Sequence, residues 1–193
     1  QNVAIETRKR LLAYGHRSGA SLAGVGWAVA GASVIHRCAS TWAQDGAARE
    51  VRNDAQDRYC LDGNRLRLVA GTYGQSGSEY RTELETFARI RAYGSAGNGP
   101  AQFTVERKDG LVHEYGATAD SRIESQGQPT ARAWALNRIR DRAGNAILFE
   151  YTEDAANGSF RIARVRYGGN ASQGVAPQHE VRFTYEVRPA GEI

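Results

Sequence analysis

Asp57-Arg58-Tyr59-Cys60-Leu61-Asp62-Gly63-Asn64-Arg65-Leu66-Arg67-Leu68-Val69 decides how the rest of the chain is read. Two short runs of alternating apolar and polar residues, Arg58 to Leu61 and Arg65 to Val69, flank Asp62-Gly63-Asn64. A reversal needs residues that tolerate positive φ, and Asp-Gly between alternating runs is the strongest short hairpin signal. Working outward, the same grammar repeats. Phe103 to Arg107 and Leu111 to Tyr115 flank Lys108-Asp109-Gly110. Ala133 to Arg140 turns at Asp141-Arg142-Ala143-Gly144-Asn145 and returns as Ile147 to Tyr151. Ala156-Asn157-Gly158 leads into Phe160 to Tyr167, and Glu180 to Glu186 reads as a last strand. Glu79 to Arg91 alternates as Tyr80, Thr82, Leu84 and Thr86 and reads as one strand. The spacing predicts loops over 43–55, 74–78, 94–100, 119–130 and 168–178. The fold class is therefore all-β, an antiparallel meander of hairpins, in one module over residues 1–193 with no internal linker.

The 193 residues are 41% hydrophobic and 24% charged, which is ordinary for a globular chain and excludes a disordered or fibrous one. Of 25 cations only Lys9 and Lys108 are lysine, and net charge is +4. The arginines are scattered rather than massed, so the basic balance reads as a solvated surface and not as a specific nucleic-acid site. No secretory signal is visible at the N-terminus. The one long uncharged run, Ser18 to Ile35, is mostly Gly, Ala and Ser and falls short of a bilayer span.

Chemistry-bearing constellations are scarce. His16, His36, His113 and His179 lie in no ligand spacing, and His113 reads as an exposed strand residue. Asp54, Asp57 and Asp62 miss the alternating calcium pattern and read as loop. GxSxG and GxGxxG are absent. The expectation is no catalytic, cofactor or metal site. Glu83 and Glu85 would share one strand face about 7 Å apart, which leaves a glycoside hydrolase as the weakest alternative. Trp27, Trp42 and Trp134 read as core. Arg138, Arg140 and Arg142, and separately Arg164 and Arg166, fall at alternate positions and line one strand face, with Ile139, Val165 and Tyr167 opposite. Such a face is the basis of a second alternative, an extracellular module binding a glycan or anionic polymer weakly. Cys38 and Cys60 are either a disulfide or two buried thiols, with the bond slightly favoured.

Several motifs follow one another along the chain: Gly24-Val25-Gly26-Trp27; Asp57 to Gly63; Glu79-Tyr80-Arg81-Thr82-Glu83; and Asp120-Ser121-Arg122. They are followed by Trp134-Ala135-Leu136-Asn137, by Asp141-Arg142-x-Gly144-Asn145, and by Tyr151-Thr152-Glu153-Asp154. Together they resemble the SpvB/TcaC N-terminal region of large bacterial Rhs/YD-repeat proteins, which include the B components of insecticidal toxin complexes. The resemblance runs from about Leu12 to Glu186, leaving 1–11 poorly matched. The chain has Gly26-Trp27-Ala28-Val29-Ala30-Gly31 where the family usually has Gly-Trp-Ser-Leu-Ser-Gly. Its motif residues here are Gly24, Gly26, Trp27, Asp62, Gly63, Asp120, Arg122, Trp134, Asn137, Gly144, Asn145 and Asp154. The resemblance implies a non-catalytic piece of a secreted or cell-surface polypeptide. YD repeats further along such a polypeptide form a β-shell around a C-terminal toxin. The implied partners are the remainder of that polypeptide or other toxin subunits.

Overall fold

A computed structural model describes residues 32–156 and 158–186, together with the backbone of four short strands before them. These are β1 (Leu12–Tyr14), β2 (Ala20–Ser21), β3 (Gly24–Val25) and β4 (Trp27–Val29), paired β1 with β4 and β2 with β3. His16, Gly26, Asn157 and the side chain of Trp27 lie outside the described residues.

From Val34 onward twelve strands form one antiparallel sheet. The first seven are β5 (Val34–Cys38), β6 (Arg58–Leu61), β7 (Asn64–Ala70), β8 (Glu79–Thr82), β9 (Arg89–Tyr93), β10 (Gln102–Glu106) and β11 (Val112–Tyr115). They pair with one another in chain order. Then come β12 (Arg122–Glu124), β13 (Ala131–Arg140), β14 (Asn145–Asp154), β15 (Ser159–Asn170) and β16 (His179–Arg182). Strand β13 joins the two ends of the meander: Trp134 lies opposite Ile35 of β5, and Arg138 opposite Glu114 of β11. β5 to β11 and β13 thus close an eight-stranded barrel, which removes the open edges that a meander would leave. One strand serves both neighbours because it is long and bulged. Asn137 is the extra residue between the Tyr115–Leu136 and Glu114–Arg138 pairs, and its Oδ1 accepts from the Ala117 amide at 3.1 Å.

The turns form where the residues permit them. Asp62 and Gly63 have φ of 49° and 82°, the left-handed pair that a two-residue hairpin needs. The reading of Glu79 to Arg91 as one strand is corrected. The pairing breaks over 83–88, where Phe87 sits at φ 56° and the hydroxyls of Thr82 and Thr86 bond at 2.8 Å. A four-residue helix α1 (Trp42–Asp45), capped by Thr41 and Gly46, runs into the segment read as a loop over 43–55, and the strand β12 forms inside the one read over 119–130. The C-terminal strand ends at Arg182, short of Glu186.

Inward-facing side chains fill the barrel. Tyr59, Tyr80, Phe103, Tyr115 and Trp134 are fully buried with Ile35, Leu66, Ile90, Val105 and Leu136. Edge-to-face contacts join Trp134 to Tyr59 at 5.3 Å and to Phe103 at 4.9 Å, and the Trp134 Nε1–H donates to the Pro100 carbonyl at 3.0 Å. A Cβ on Gly116 would meet the Trp134 ring at 2.4 Å, so only glycine fits there.

Strands β14 to β16 extend from the barrel as a wing. β14 pairs with β13 only over Ala146–Leu148 before it departs. The wing leans back on the barrel where the Tyr151 amide donates to Asp120 Oδ2 at 2.8 Å and the Tyr151 hydroxyl to the Leu136 carbonyl at 2.7 Å.

Candidate functional site

Two polar assemblies stand out from the apolar core, and neither follows from local sequence pattern. The first plugs one end of the barrel. β5 places Arg37 inward between Tyr59 and Trp134, its guanidinium carbon 5.6 Å and 5.9 Å from their rings. Its Nε donates to the Ala131 carbonyl at 2.8 Å, Nη1 to the Asp54 carbonyl at 2.7 Å, and Nη2 to the Asn98 carbonyl at 3.1 Å. The Asp57 carboxylate, 3.2 Å from Nη1, neutralises it, and both side chains are essentially without solvent. Asp57 also accepts from Arg49 Nη1 at 3.1 Å and from the Arg52 and Asp54 amides at 3.0 and 3.2 Å. Arg49 bonds Asp54 as well, and that bond foremost holds the Asp54 carboxyl below its ordinary range. A buried ion pair is tolerated only when its remaining donors and acceptors are satisfied, and here they are. Asp57 therefore holds together the turn of 49–57 and the cation beneath it. The arginines are not uniformly a solvated surface. Arg65 is buried too, bonding Asp45 at 3.1 Å and the Ala39 carbonyl at 2.6 Å.

The second assembly is the outer face of β11, β13, β14, β15 and β16. Cross-strand register sets Glu114, Arg138, Leu148, Arg166 and Glu180 in one row and Glu150, Arg164 and Arg182 in the next. Glu114 accepts two bonds from Arg138, both at 2.8 Å, and one from Arg140 at 3.1 Å. Glu150 pairs with Arg164 at 2.8 Å and with Arg166. Glu180 pairs with Arg182 at 2.8 Å and Arg164 at 3.4 Å. Of the arginine face foreseen in the sequence, Arg138, Arg140, Arg164 and Arg166 are present, whereas Arg142 lies in the turn after β13, its guanidinium beside Gly110; three glutamates neutralise most of that face. A cleft of about 600 Å³ opens on this face beside Asp120 and Asn137. Its charges are engaged with one another, and the reverse face carries Ile139, Val165 and Tyr167 as expected, with Ile147 paired to both Ile139 and Tyr167.

The other candidates are dispersed. Glu83 and Glu85 lie in the 83–88 turn and not on one strand face. Glu83 accepts from Gln44, and Glu85 from the Phe87 amide of its own turn. Among the described residues no three His, Cys, Asp or Glu gather as a metal site, and no helix is long and apolar enough to cross a membrane. His113 is buried rather than exposed, on the inner wall opposite Val105 and Ile139, because Tyr115 and Val105 set its side of the strand inward. Trp134 is core, whereas Trp42 is largely exposed on α1, which buries no residue. Cys38 and Cys60 are bonded to each other.

The motif residues turn out to be architectural. Asp62 caps the N-terminal end of β5, accepting from the Ser33 hydroxyl at 2.6 Å and the Val34 amide at 2.9 Å. Asp141 accepts twice from Asn145 around Gly144, whose φ is 89°. The side-chain Nδ2 of Asn145 foremost holds the Asp141 carboxyl low. Asp120 ties the wing to the barrel, Asn137 is the bulge, and Arg122 pairs with Glu124 at 3.3 Å. Asp154 ends β14, and Gly24 lies in β3. Arg37 and Asp57 were missed as partners, since residues 20 apart in a strand and a loop carry no local signal of contact.

A closed antiparallel barrel with a bracing wing, its motif residues spent on turns, a bulge and the core, defines a small β-module class. Within that class, the family model described as Salmonella virulence plasmid 65kDa B protein, SpvB, matches residues 6–180, and the chain belongs to this family. No curated protein matches the sequence. The fold is similar to the N-terminal domain of effector protein SpvB from Salmonella typhimurium strain LT2, with TM-score 0.65 and 20% identity. That match covers 87% of this chain and 60% of the other. A TcdB2-TccC3 crystal structure matches with TM-score 0.65 and 21% identity over 86% of this chain and 9% of that one. A Photorhabdus luminescens Tc holotoxin pore matches with TM-score 0.64 and 20% identity over 82% of this chain and 8% of that one. The chain thus spans three fifths of the first of these structures and under a tenth of the other two.

Proposed function

We propose that the chain is a non-catalytic structural module of a large exported bacterial toxin polypeptide, helping to form or close the β-shell that encloses and delivers a C-terminal toxin. The observation that carries this reading is the family match over residues 6–180, coupled to motif residues that build turns, a bulge and the core. The likeness in fold to parts of SpvB and of Tc assemblies supports it. Its partners would be the rest of its own polypeptide or other toxin subunits, outside the producing cell or on its surface. Fold alone assigns no chemistry, and the carboxylates of Glu83, Glu85 and Glu150 are engaged in bonds within the chain.

Deleting the module from the parent polypeptide, and measuring protease protection of the C-terminal toxin, tests the proposal. Protection and delivery should be lost. A parent that shelters and delivers its toxin normally without the module would overturn it.

A further inference from the structure

The bond between Cys38 and Cys60 joins the end of β5 to β6 and closes the segment 39–59 into a ring. That ring contains the barrel plug. Asp57, the carboxylate that neutralises buried Arg37, lies within it, as do Arg49, Arg52 and Asp54, which hold Asp57 in place. Outside the ring, Arg37 has hydrogen bonds to two backbone carbonyls, those of Asn98 and Ala131, and the face of Trp134, but among the described residues no carboxylate. Its neutralisation therefore depends on a turn whose freedom the disulfide limits. Cys60 is buried, while Cys38 is partly exposed.

We propose that Cys38–Cys60 is a redox latch on the barrel plug. With the bond intact, 46–57 stays seated over Arg37. With the bond reduced, this turn opens and Arg37 loses its carboxylate, while the barrel stays closed. The chemistry is ordinary thiol–disulfide exchange. The thiolate of a small thiol reductant attacks the Cys38 sulfur, forms a mixed disulfide there, and releases the Cys60 thiolate. A second reductant thiol resolves the mixed disulfide. Two electrons and two protons end on the cysteines, and the reductant leaves as its own disulfide.

The opening is local for two reasons. The β5–β6 ladder from Ile35–Leu61 to Cys38–Arg58 does not need the bond, and barrel closure runs through β13. Asp45 remains bonded to Arg58 and Arg65, which keeps α1 in place, so the loosening is centred on 46–57. The latch stands on the geometry of this barrel end alone, whichever polypeptide the module serves.

Residue-resolved hydrogen exchange of the whole chain, oxidised and then reduced with dithiothreitol without unfolding, reads the latch directly. The amides of Arg49, Arg52, Asp54 and Asp57, bonded within the plug, should exchange roughly tenfold to a hundredfold faster after reduction. Amides of β9, β10 and β14 should not change. Trypsin cleavage after Arg49 and Arg52 should accelerate in parallel, which gives a second reading that needs no variant. Unchanged plug amides and cleavage rates would overturn the proposal. So would a uniform rise across all amides, because the bond would then stabilise the whole fold and latch nothing.

Discussion

The barrel and the wing are built from the same antiparallel hairpins and share one buried apolar cluster, in which Phe149, Ile162 and Val165 of the wing take part, yet only the barrel closes on itself. In the barrel, eight strands close on themselves and their inward side chains interlock around Trp134, Tyr59 and Phe103, with one buried ion pair sealing an end. In the wing, β14 to β16 expose a face of partly solvated Arg–Glu pairs, and β14 shares only three registered pairs with β13. Close-packed, desolvated contacts carry much of a fold's stability, whereas each exposed ion pair adds little. Similar strands can thus make a closed frame in one place and an open-edged extension in another. Closure makes the difference.

Substitutions can break or sharpen this contrast. The largest effects belong to the barrel. Asp57→Ala leaves Arg37 charged and buried without its carboxylate, and should cost about 3–5 kcal/mol in urea unfolding. Trp134→Ala should cost a comparable 3–5 kcal/mol by opening a cavity at the aromatic centre. Gly116→Ala should follow at roughly 2–3 kcal/mol, since its Cβ meets the Trp134 ring and its φ is 71°.

His113 gives the barrel a pH dependence of its own. Burial foremost, and the charge of Arg107 next, push its imidazole down to about 4 from an ordinary 6.5. The native state thus binds this proton less readily than the unfolded chain does. The contribution to stability is complete above about pH 6.5 and is lost as pH falls toward 4, by about 2–3 kcal/mol. Urea midpoints measured across this range on the chain and on His113→Phe should differ in slope, the variant lacking this component. The smallest effect belongs to the wing. Glu150→Gln should cost less than about 1 kcal/mol, and less still in high salt. If it cost as much as Asp57→Ala, the two regions would not differ as described.

Much of the frame was legible because turn chemistry is local. Asp62-Gly63, Gly110 and Gly144 all take positive φ where hairpins were read. The alternation of Arg138 and Arg140 around Ile139 correctly assigned the two faces of β13. What sequence could not show was long-range. Closure rests on Trp134 meeting Ile35 across 99 positions of chain, a pairing that no local pattern encodes. The break at 83–88 depends on Phe87 adopting a left-handed φ that its residue type disfavours, so alternation carried the strand reading straight through it. His113 looked exposed because polar residues on strands usually are, and barrel closure turned its face inward. The plug was hidden for the same reason, as Asp57 reads as a loop residue until the barrel end is seen beneath it.

Native-state hydrogen exchange of the whole oxidised chain tests the central claim most directly, because it resolves the barrel and the wing separately. The account predicts that amides of β9, β10 and the first half of β13 exchange only through global unfolding, while those of β15 and β16 exchange through smaller, earlier openings. Equal protection across both regions, or a barrel that opens before the wing, would contradict it.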